Sequence, residues 1–294
     1  MTFRSGFVNI IGRPNVGKST LMNALVDSDV SIITYKPQTT RHRILGMLNS
    51  PEFQIIFSDT PGFVHDPAYK MHEKMNRYVH GSFEDADVML MVVDKDDRYT
   101  RDHVLIQKLS KLTCPIFLVL NKIDLMAEIE ILRSIDHWKD LFDFQEIVPI
   151  SALKNRGVRE LFNLIVKELP EGPRYFPEDQ LSDRPERFFV SEIVREQIFL
   201  QYRDEIPYSC EVAIESFKEE PSIVRIEAMI FVNRKTQKAI LIGKHGEAIK
   251  RLGTEARIKM ESFLGKKVFL ALRVKVRENW RNNDGLLDRL GYSS

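Results

Sequence analysis

Gly12-Arg13-Pro14-Asn15-Val16-Gly17-Lys18-Ser19 follows directly on the apolar run Phe7-Val8-Asn9-Ile10-Ile11. The run reads as a buried strand, and the stretch after it has the glycine and Lys-Ser spacing of a phosphate-binding loop. Gly12 and Gly17 permit a tight turn whose N–H groups point at a phosphate chain. Lys18 adds a point charge for the outer phosphates, and the Ser19 hydroxyl is placed to ligate Mg²⁺. Val16 and Thr20 complete the loop residues expected to touch the nucleotide. The helix that follows directs its positive end at the same phosphates, and Leu21, Ala24 and Leu25 give it a core-facing stripe.

Three later segments name the base. Phe53-Gln54-Ile55-Ile56-Phe57 reads as a short strand running into Ser58-Asp59-Thr60-Pro61-Gly62. A carboxylate at that tip, Asp59, can hold Mg²⁺ through water, and Gly62 exposes an N–H to the terminal phosphate. Ile116-Phe117-Leu118-Val119-Leu120 is tipped by Asn121-Lys122-Ile123-Asp124. The Asp124 carboxylate can accept from both N1–H and the exocyclic amine of guanine, whereas adenine would leave it unpaired. Discrimination of that kind reaches roughly 10⁴ to 10⁵. Ile147-Val148-Pro149-Ile150 leads into Ser151-Ala152-Leu153, whose backbone can meet the guanine carbonyl. The residue after Gly62 is Phe63, which cannot orient water as a glutamine would, so slow intrinsic turnover is expected.

At 294 residues the chain is long enough for two cores. Its 43% hydrophobic and 29% charged residues exclude a disordered or fibrous chain. A net charge of +1 means that any nucleic-acid surface is local. Cys114 and Cys210 stand far apart in apolar contexts and read as buried reduced thiols. The first residues lack a signal-peptide layout, and the longest apolar run, Val88 to Val93, is far short of a bilayer span. These features point to the cytosol.

Strands alternate with helical stretches, Met71 to Phe83, Asp102 to Leu112 and Gly157 to Leu169 among them. The boundaries expected are a first domain over 1–170, a stiff Pro-rich linker over 171–184 and a second domain over 185–294. In the second, Pro185 to Tyr202 reads as a helix, and Cys210 to Phe217 and Ile223 to Val232 as a hairpin. A long helix carries Ile249, Leu252, Ala256, Met260 and Phe263 on one face, and Gly265 ends it. The last strand alternates Val268, Leu270, Leu272, Val274 and Val276 inward with Phe269, Arg273 and Lys275 outward. Trp280 and Phe231 are assigned to core packing rather than base stacking. His65, His72 and His80 read as solvated side chains, and His42 as exposed.

The chain resembles the Era family of bacterial Ras-like ribosome-assembly GTPases along nearly its whole length. The likeness includes Lys36-Pro37-Gln38-Thr39-Thr40-Arg41, Glu171-Gly172-Pro173-Arg174-Tyr175-Phe176-Pro177 and Gly243-Lys244-His245-Gly246. It implies a wound α/β GTPase sheet with helices on both faces, followed by a smaller α+β KH-like domain. Gly243-Lys244-His245-Gly246 is similar to the GXXG loop with which KH domains clamp single-stranded RNA. Local propensity disagrees, since Ala239-Ile240-Leu241-Ile242 looks like strand where a KH domain needs helix. Charge supports the KH reading: residues Arg234 to Arg281 hold 14 Lys and Arg against four acids. Lys250 and Arg251 join the loop as expected RNA contacts.

The resemblance further implies a GTP/GDP switch in which Ser28 to Arg43 and Thr60 to His80 respond to the γ-phosphate. Thr40 is the implied Mg²⁺ ligand, with Thr39 as the alternative. Asn15, Lys18, Thr40 and Gly62 form the expected catalytic group, and Asn15 matches a position where related GTPases hold K⁺. The implied partner is 16S rRNA near its 3′ end on the small ribosomal subunit. A monomer is expected in the cytoplasm, with peripheral contact at the inner membrane left open as a further option. Two other classes stay open: a GTPase acting on tRNA or other RNA, and a passive RNA-binding protein stabilised by GTP.

Overall fold

The computed structural model describes residues 2–64 and 66–292, so His65 lies outside the described residues. In the first half the order is β1 (Arg4–Ile11), α1 (Lys18–Val26), β2 (Ile44–Asn49), β3 (Phe53–Asp59), α2 (Lys70–Gly81) and β4 (Val88–Val93). Then come α3 (Val104–Leu109), β5 (Ile116–Leu120), α4 (Glu128–Leu141), β6 (Glu146–Pro149) and α5 (Val158–Glu168). The six strands lie in the order β2-β3-β1-β4-β5-β6, and only β2 runs antiparallel to its neighbour. β4 shows why such a sheet needs helices on both faces. All six of its residues are buried: Val88, Leu90 and Val92 join one core, Met89, Met91 and Val93 the other. This is the period-2 alternation of a strand with no wet side. α1 and α5 cover the first face. Trp138 of α4, fully buried, anchors the second.

The second half holds α6 (Glu186–Gln201), α7 (Ile206–Ser209), β7 (Glu211–Glu219), β8 (Ile223–Val232), α8 (Lys235–Ile242), α9 (Glu247–Leu264), β9 (Lys267–Val276) and α10 (Asp284–Arg289). β7 and β8 form the expected hairpin, and β9 pairs parallel with β8 over ten residues. One core joins α6, α8 and α9 to this sheet. The segment with strand propensity is helical, as the KH pattern requires. The Gln237 side chain accepts from the backbone N–H of both Asn233 and Arg234, at 3.0 Å each, and so caps the start of α8. Gly243, at φ 74°, ends it.

Several expectations need correction. α3 is shorter than Asp102 to Leu112, because His103 caps it by accepting from the Leu105 N–H. Neither α4 nor α10 was read from the sequence. Phe263 is 41% exposed, because the core stripe of α9 runs Leu252, Ala256, Met260 and Leu264 and leaves Phe263 to one side, where the Phe189 ring lies 5.5 Å away. Cys114 is half-buried. The segment 171–184 is not a free spacer. Met47 N–H donates to Leu181 O at 2.9 Å, Leu45 N–H to Asp183 Oδ1 at 3.0 Å, and Gln54 Oε1 accepts from the N–H groups of Tyr175 and Phe176. The expected boundaries at 170 and 184 therefore fall within a stretch packed on the first sheet.

Candidate functional site

The loop after β1 and the tips of β3 and β5 converge on one cavity of about 520 Å³. Two glycines fix the path of the loop beneath it. A Cβ on Gly12 would sit 2.3 Å from Val92 O, and one on Gly17 would sit 2.3 Å from Asn121 Nδ2. Both have positive φ, 148° and 98°, which side chains resist. Lys18 Nζ donates to Gly12 O at 3.0 Å and Arg13 O at 2.9 Å, curling the loop round its own ammonium. Burial lowers the Lys18 pKa to about 8, against the pull of Asp59 and Asp97. Gly62 abuts the loop so tightly that a Cβ would lie 2.7 Å from Pro14 N.

Beside Lys18, Ser19 Oγ lies 2.6 Å from Asp59 Oδ2 and 2.9 Å from Thr40 Oγ1. Asp59 is fully buried, and burial pushes its carboxyl upward. Its Oδ1 has no hydrogen-bond partner among the described residues. A buried carboxylate with a spare oxygen, flanked by two hydroxyls, is a hard oxygen donor set that fits Mg²⁺. Thr39 points elsewhere: its Oγ1 donates to Lys36 O at 2.8 Å. Of the two threonines, Thr40 is the one at this cluster.

At the other end, Asn121 ties two loops together. Its Nδ2 donates to Val16 O at 2.8 Å, and its Oδ1 accepts from Ala152 N–H at 3.0 Å. Ser151 Oγ donates to Asp124 Oδ1 at 2.5 Å and so aims the carboxylate. Lys122 Nζ bonds Asp94 Oδ2 at 2.7 Å, holding its stem along the cavity wall. Leu153 and Leu125 stay exposed and flank the place a planar base would occupy. Thr20, Asn15 and Gly62 also line the cavity. Asn15, at φ 67°, sends Nδ2 to Tyr35 O at 3.2 Å, joining the phosphate loop to the segment above it.

Sequence reasoning missed how residues 28–43 and 60–80 are held. Arg41 is fully buried against residues 207–211 of the second half. His42, expected to be exposed, is buried 4.4 Å from the Tyr292 ring and 5.5 Å from Phe188. Burial lowers its pKa to about 4, over the opposing effect of Glu192 and Glu211. His72 is buried too, with Nδ1 accepting from Ala68 N–H, while His80 is exposed. On α2, Met71 and Met75 pack with Trp280, Leu287 and Tyr292, and Lys74 pairs with Asp288. The available signal was the period of Met71, Met75, Tyr78 and Val79, which marks an amphipathic helix but not its partner.

Gly243-Lys244-His245-Gly246 forms a tight turn between α8 and α9. A Cβ on Gly243 would lie 2.6 Å from that of Ala248, whereas Gly246 faces open space at φ 79°. Lys244, His245 and Lys250 are exposed, and Arg251, also exposed, bonds Gln201. These residues form one cationic surface at the N-terminus of the 18-residue α9. Trp280, by contrast, is fully buried and donates Nε1–H to Ser209 O at 3.0 Å.

Residues 7–122 match the family model described as a 50S ribosome-binding GTPase, and residues 205–281 match that of the KH domain. The chloroplastic GTPase ERA-like protein of Arabidopsis thaliana is 45% identical over 98% of this chain and 69% of its own length. GTPase Era of Syntrophus aciditrophicus is 44% identical over 99% of this chain and 96% of its own. A crystal structure of Era with MgGDPNP and nucleotides 1506–1542 of 16S ribosomal RNA is 41% identical with a TM-score of 0.94. It covers 99% of this chain and 100% of that one. An Aquifex aeolicus Era variant bound to GDP and AlF₄⁻ superposes with a TM-score of 0.95 at 40% identity, over 99% and 100% of the two chains. A glycine-rich loop ending in Lys18-Ser19, a strand tipped by Asn121-Lys122-Ile123-Asp124 and a GXXG turn thus stand in one chain alongside full-length likeness to these proteins, and the chain belongs to the Era family of GTPases.

Proposed function

We propose that this protein is a molecular switch that binds and hydrolyses GTP and grips the 3′ region of 16S rRNA during small-subunit assembly. The observation that carries the nucleotide reading is the convergence of Lys18, the Ser19–Asp59–Thr40 cluster and Asp124 on one cavity. Bound Mg²⁺ would neutralise charge on the phosphates. Ser19 and Thr40 would ligate it directly and Asp59 through water, while Lys18 and the loop N–H groups orient the phosphate chain. Gly62 N–H reads the γ-phosphate, and its loss on hydrolysis frees residues 28–43 and 60–80. Asp124 and the Ser151–Leu153 loop select guanine. Asn15 would hold K⁺ through its amide oxygen where an arginine finger would otherwise supply charge, which requires the amide to turn from its present contact, Nδ2 donating to Tyr35 O.

The KH-like half supplies the RNA grip through Gly243, Lys244, His245, Gly246, Lys250 and Arg251. The description of the GTPase family names the large subunit, but that match covers residues 7–122 only. The likeness to the 16S-bound Era spans 99% of the chain, which favours the small subunit. We place the protein in the cytoplasm as a monomer, with peripheral contact at the inner membrane as the alternative use of its Lys/Arg-rich end. None of the described helices is long and apolar enough to cross a bilayer. Crosslinking in cells, followed by sequencing of the bound fragments, tests the RNA assignment. Fragments from the 3′ end of 16S rRNA are expected, and recovery of mostly tRNA would overturn it.

A further inference from the structure

Four consecutive residues run from the metal cluster into the second half of the molecule. Thr40 Oγ1 faces Ser19 and Asp59. Arg41 turns the other way: Nη1 donates to Cys210 O at 2.7 Å and Glu211 Oε2 at 3.0 Å, and Nη2 to Pro207 O at 3.0 Å. Glu211 also accepts from Tyr292 Oη at 2.5 Å, and the Tyr292 ring covers His42. Arg43 Nε returns to the first half, donating to Ser58 Oγ at 2.7 Å next to Asp59. The Arg41 side chain is wholly removed from water and its ion-pair partner is 3% exposed. A guanidinium fixed by three acceptors in a dry site does not drift. The backbone on its N-terminal side is fixed with it.

The geometry points to Arg41 as a positioning residue: the KH-like domain, through Glu211, Cys210 and Pro207, holds the Thr40 hydroxyl at the magnesium site. The inference rests on the proposal that Thr40 ligates Mg²⁺. Partners behind a metal ligand commonly set metal affinity by 10- to 100-fold. Coupling of this kind is reciprocal, so Mg²⁺-nucleotide that fixes Thr40 also tightens the docking of residues 207–211. An ion pair that merely glued two domains would contribute stability and leave the magnesium dependence untouched.

The test uses the full chain and four variants: Thr40→Ala, Arg41→Met, Glu211→Gln and the Thr40→Ala/Arg41→Met double. The readout is affinity for a fluorescent non-hydrolysable GTP analogue as Mg²⁺ is titrated, with GDP affinity in EDTA and a thermal melt as controls. Thr40→Ala and Arg41→Met should each raise the half-saturating Mg²⁺ concentration about tenfold. Glu211→Gln, which keeps the shape and both carbonyl acceptors, should shift it less in the same direction. The double variant should go no further than Thr40→Ala alone, because both act on one hydroxyl. A shift in Thr40→Ala with native magnesium dependence in Arg41→Met and Glu211→Gln would overturn the positioning role. No shift in Thr40→Ala would remove the ligand assignment and this inference with it. If Arg41→Met does not fold, Glu211→Gln decides the question.

Discussion

Gly17 and Asn121 compete for one corner of the nucleotide cavity, since a Cβ on residue 17 would lie 2.3 Å from the Asn121 amide nitrogen. Gly17→Ala must therefore displace the side chain that joins Val16 O to Ala152 N–H, and also bear φ 98°. Guanine nucleotide affinity should fall by at least about tenfold, roughly 1.4 kcal/mol, as read by calorimetric titration. Asn121→Ala should do the same by leaving two buried backbone groups unpaired, at about 1–3 kcal/mol each.

Asp124→Asn removes the acceptor for two guanine donors and supplies a donor to the extra carbonyl of xanthine. GTP binding should weaken by several orders of magnitude, within the roughly 10⁴–10⁵ span of such discrimination, and xanthosine triphosphate should bind instead. Competition measurements on native and variant protein decide it. Equal binding of ATP and GTP by the native chain would sink the guanine assignment.

Hydrolysis should run faster in K⁺ than in Na⁺ at equal ionic strength, and Asn15→Ala should abolish the difference. Asn15 contacts Tyr35 O, so the same substitution also loosens the segment above the cavity. Phosphate release under multiple turnover separates the two effects, because only the first depends on which cation is present. Identical native rates in both salts would remove the cation from the scheme.

His42 makes stability pH-dependent. Its folded pKa is about 4, below the ordinary 6.5, so the unfolded chain binds its proton first. Its contribution is complete above about pH 6.5 and is lost as the pH falls from there toward 4. By pH 5 the loss should be about 2 kcal/mol at about 1.4 kcal/mol per unit. Glu192, Glu211, Arg195 and Arg184 face the ring, and the Arg41 and Arg195 charges outweigh burial to hold Glu211 below the usual carboxylate range. Denaturant unfolding at pH 7 and pH 5 should show a smaller difference in His42→Asn than in the native protein.

Replacing Lys244 and His245 together with aspartate puts like charge where phosphates would pass. Both side chains are exposed, so the fold should hold while RNA affinity collapses and GTP affinity stays native. The slope of binding against salt should flatten by about one per lost phosphate contact. Native RNA binding by the folded double variant would move the RNA surface elsewhere.

Much of this was legible because local chemistry decided it. The phosphate loop, Asp59 and Asp124 each sit at the end of an element whose period is plain, whereas the GXXG turn follows a segment of strand propensity and was read from its glycines and the charge around it. What was not legible depended on contacts between distant parts of the chain. Arg41 and His42 read as polar residues in a loop, and nothing within ten positions hints that residues 207–211 and Tyr292 bury them. Thr39 and Thr40 differ only by the direction of one backbone step, which Arg41 sets from outside. Phe263 fits the helical period, but the stripe that meets the sheet passes through Leu264 instead.

The packed segment 171–184 has a consequence for solubility. β2 is an edge strand, and its outward backbone groups would template pairing with another chain. Here Leu181 O takes the Met47 N–H, Asp183 takes that of Leu45, and Ser182 Oγ donates to Leu45 O at 2.6 Å. The connector thus serves as a sheath over an adhesive border. A GTPase half cut at residue 170 would keep the phosphate loop, Asp59 and Asp124 and yet expose that border to aggregation, whereas one extended to residue 184 would keep it covered.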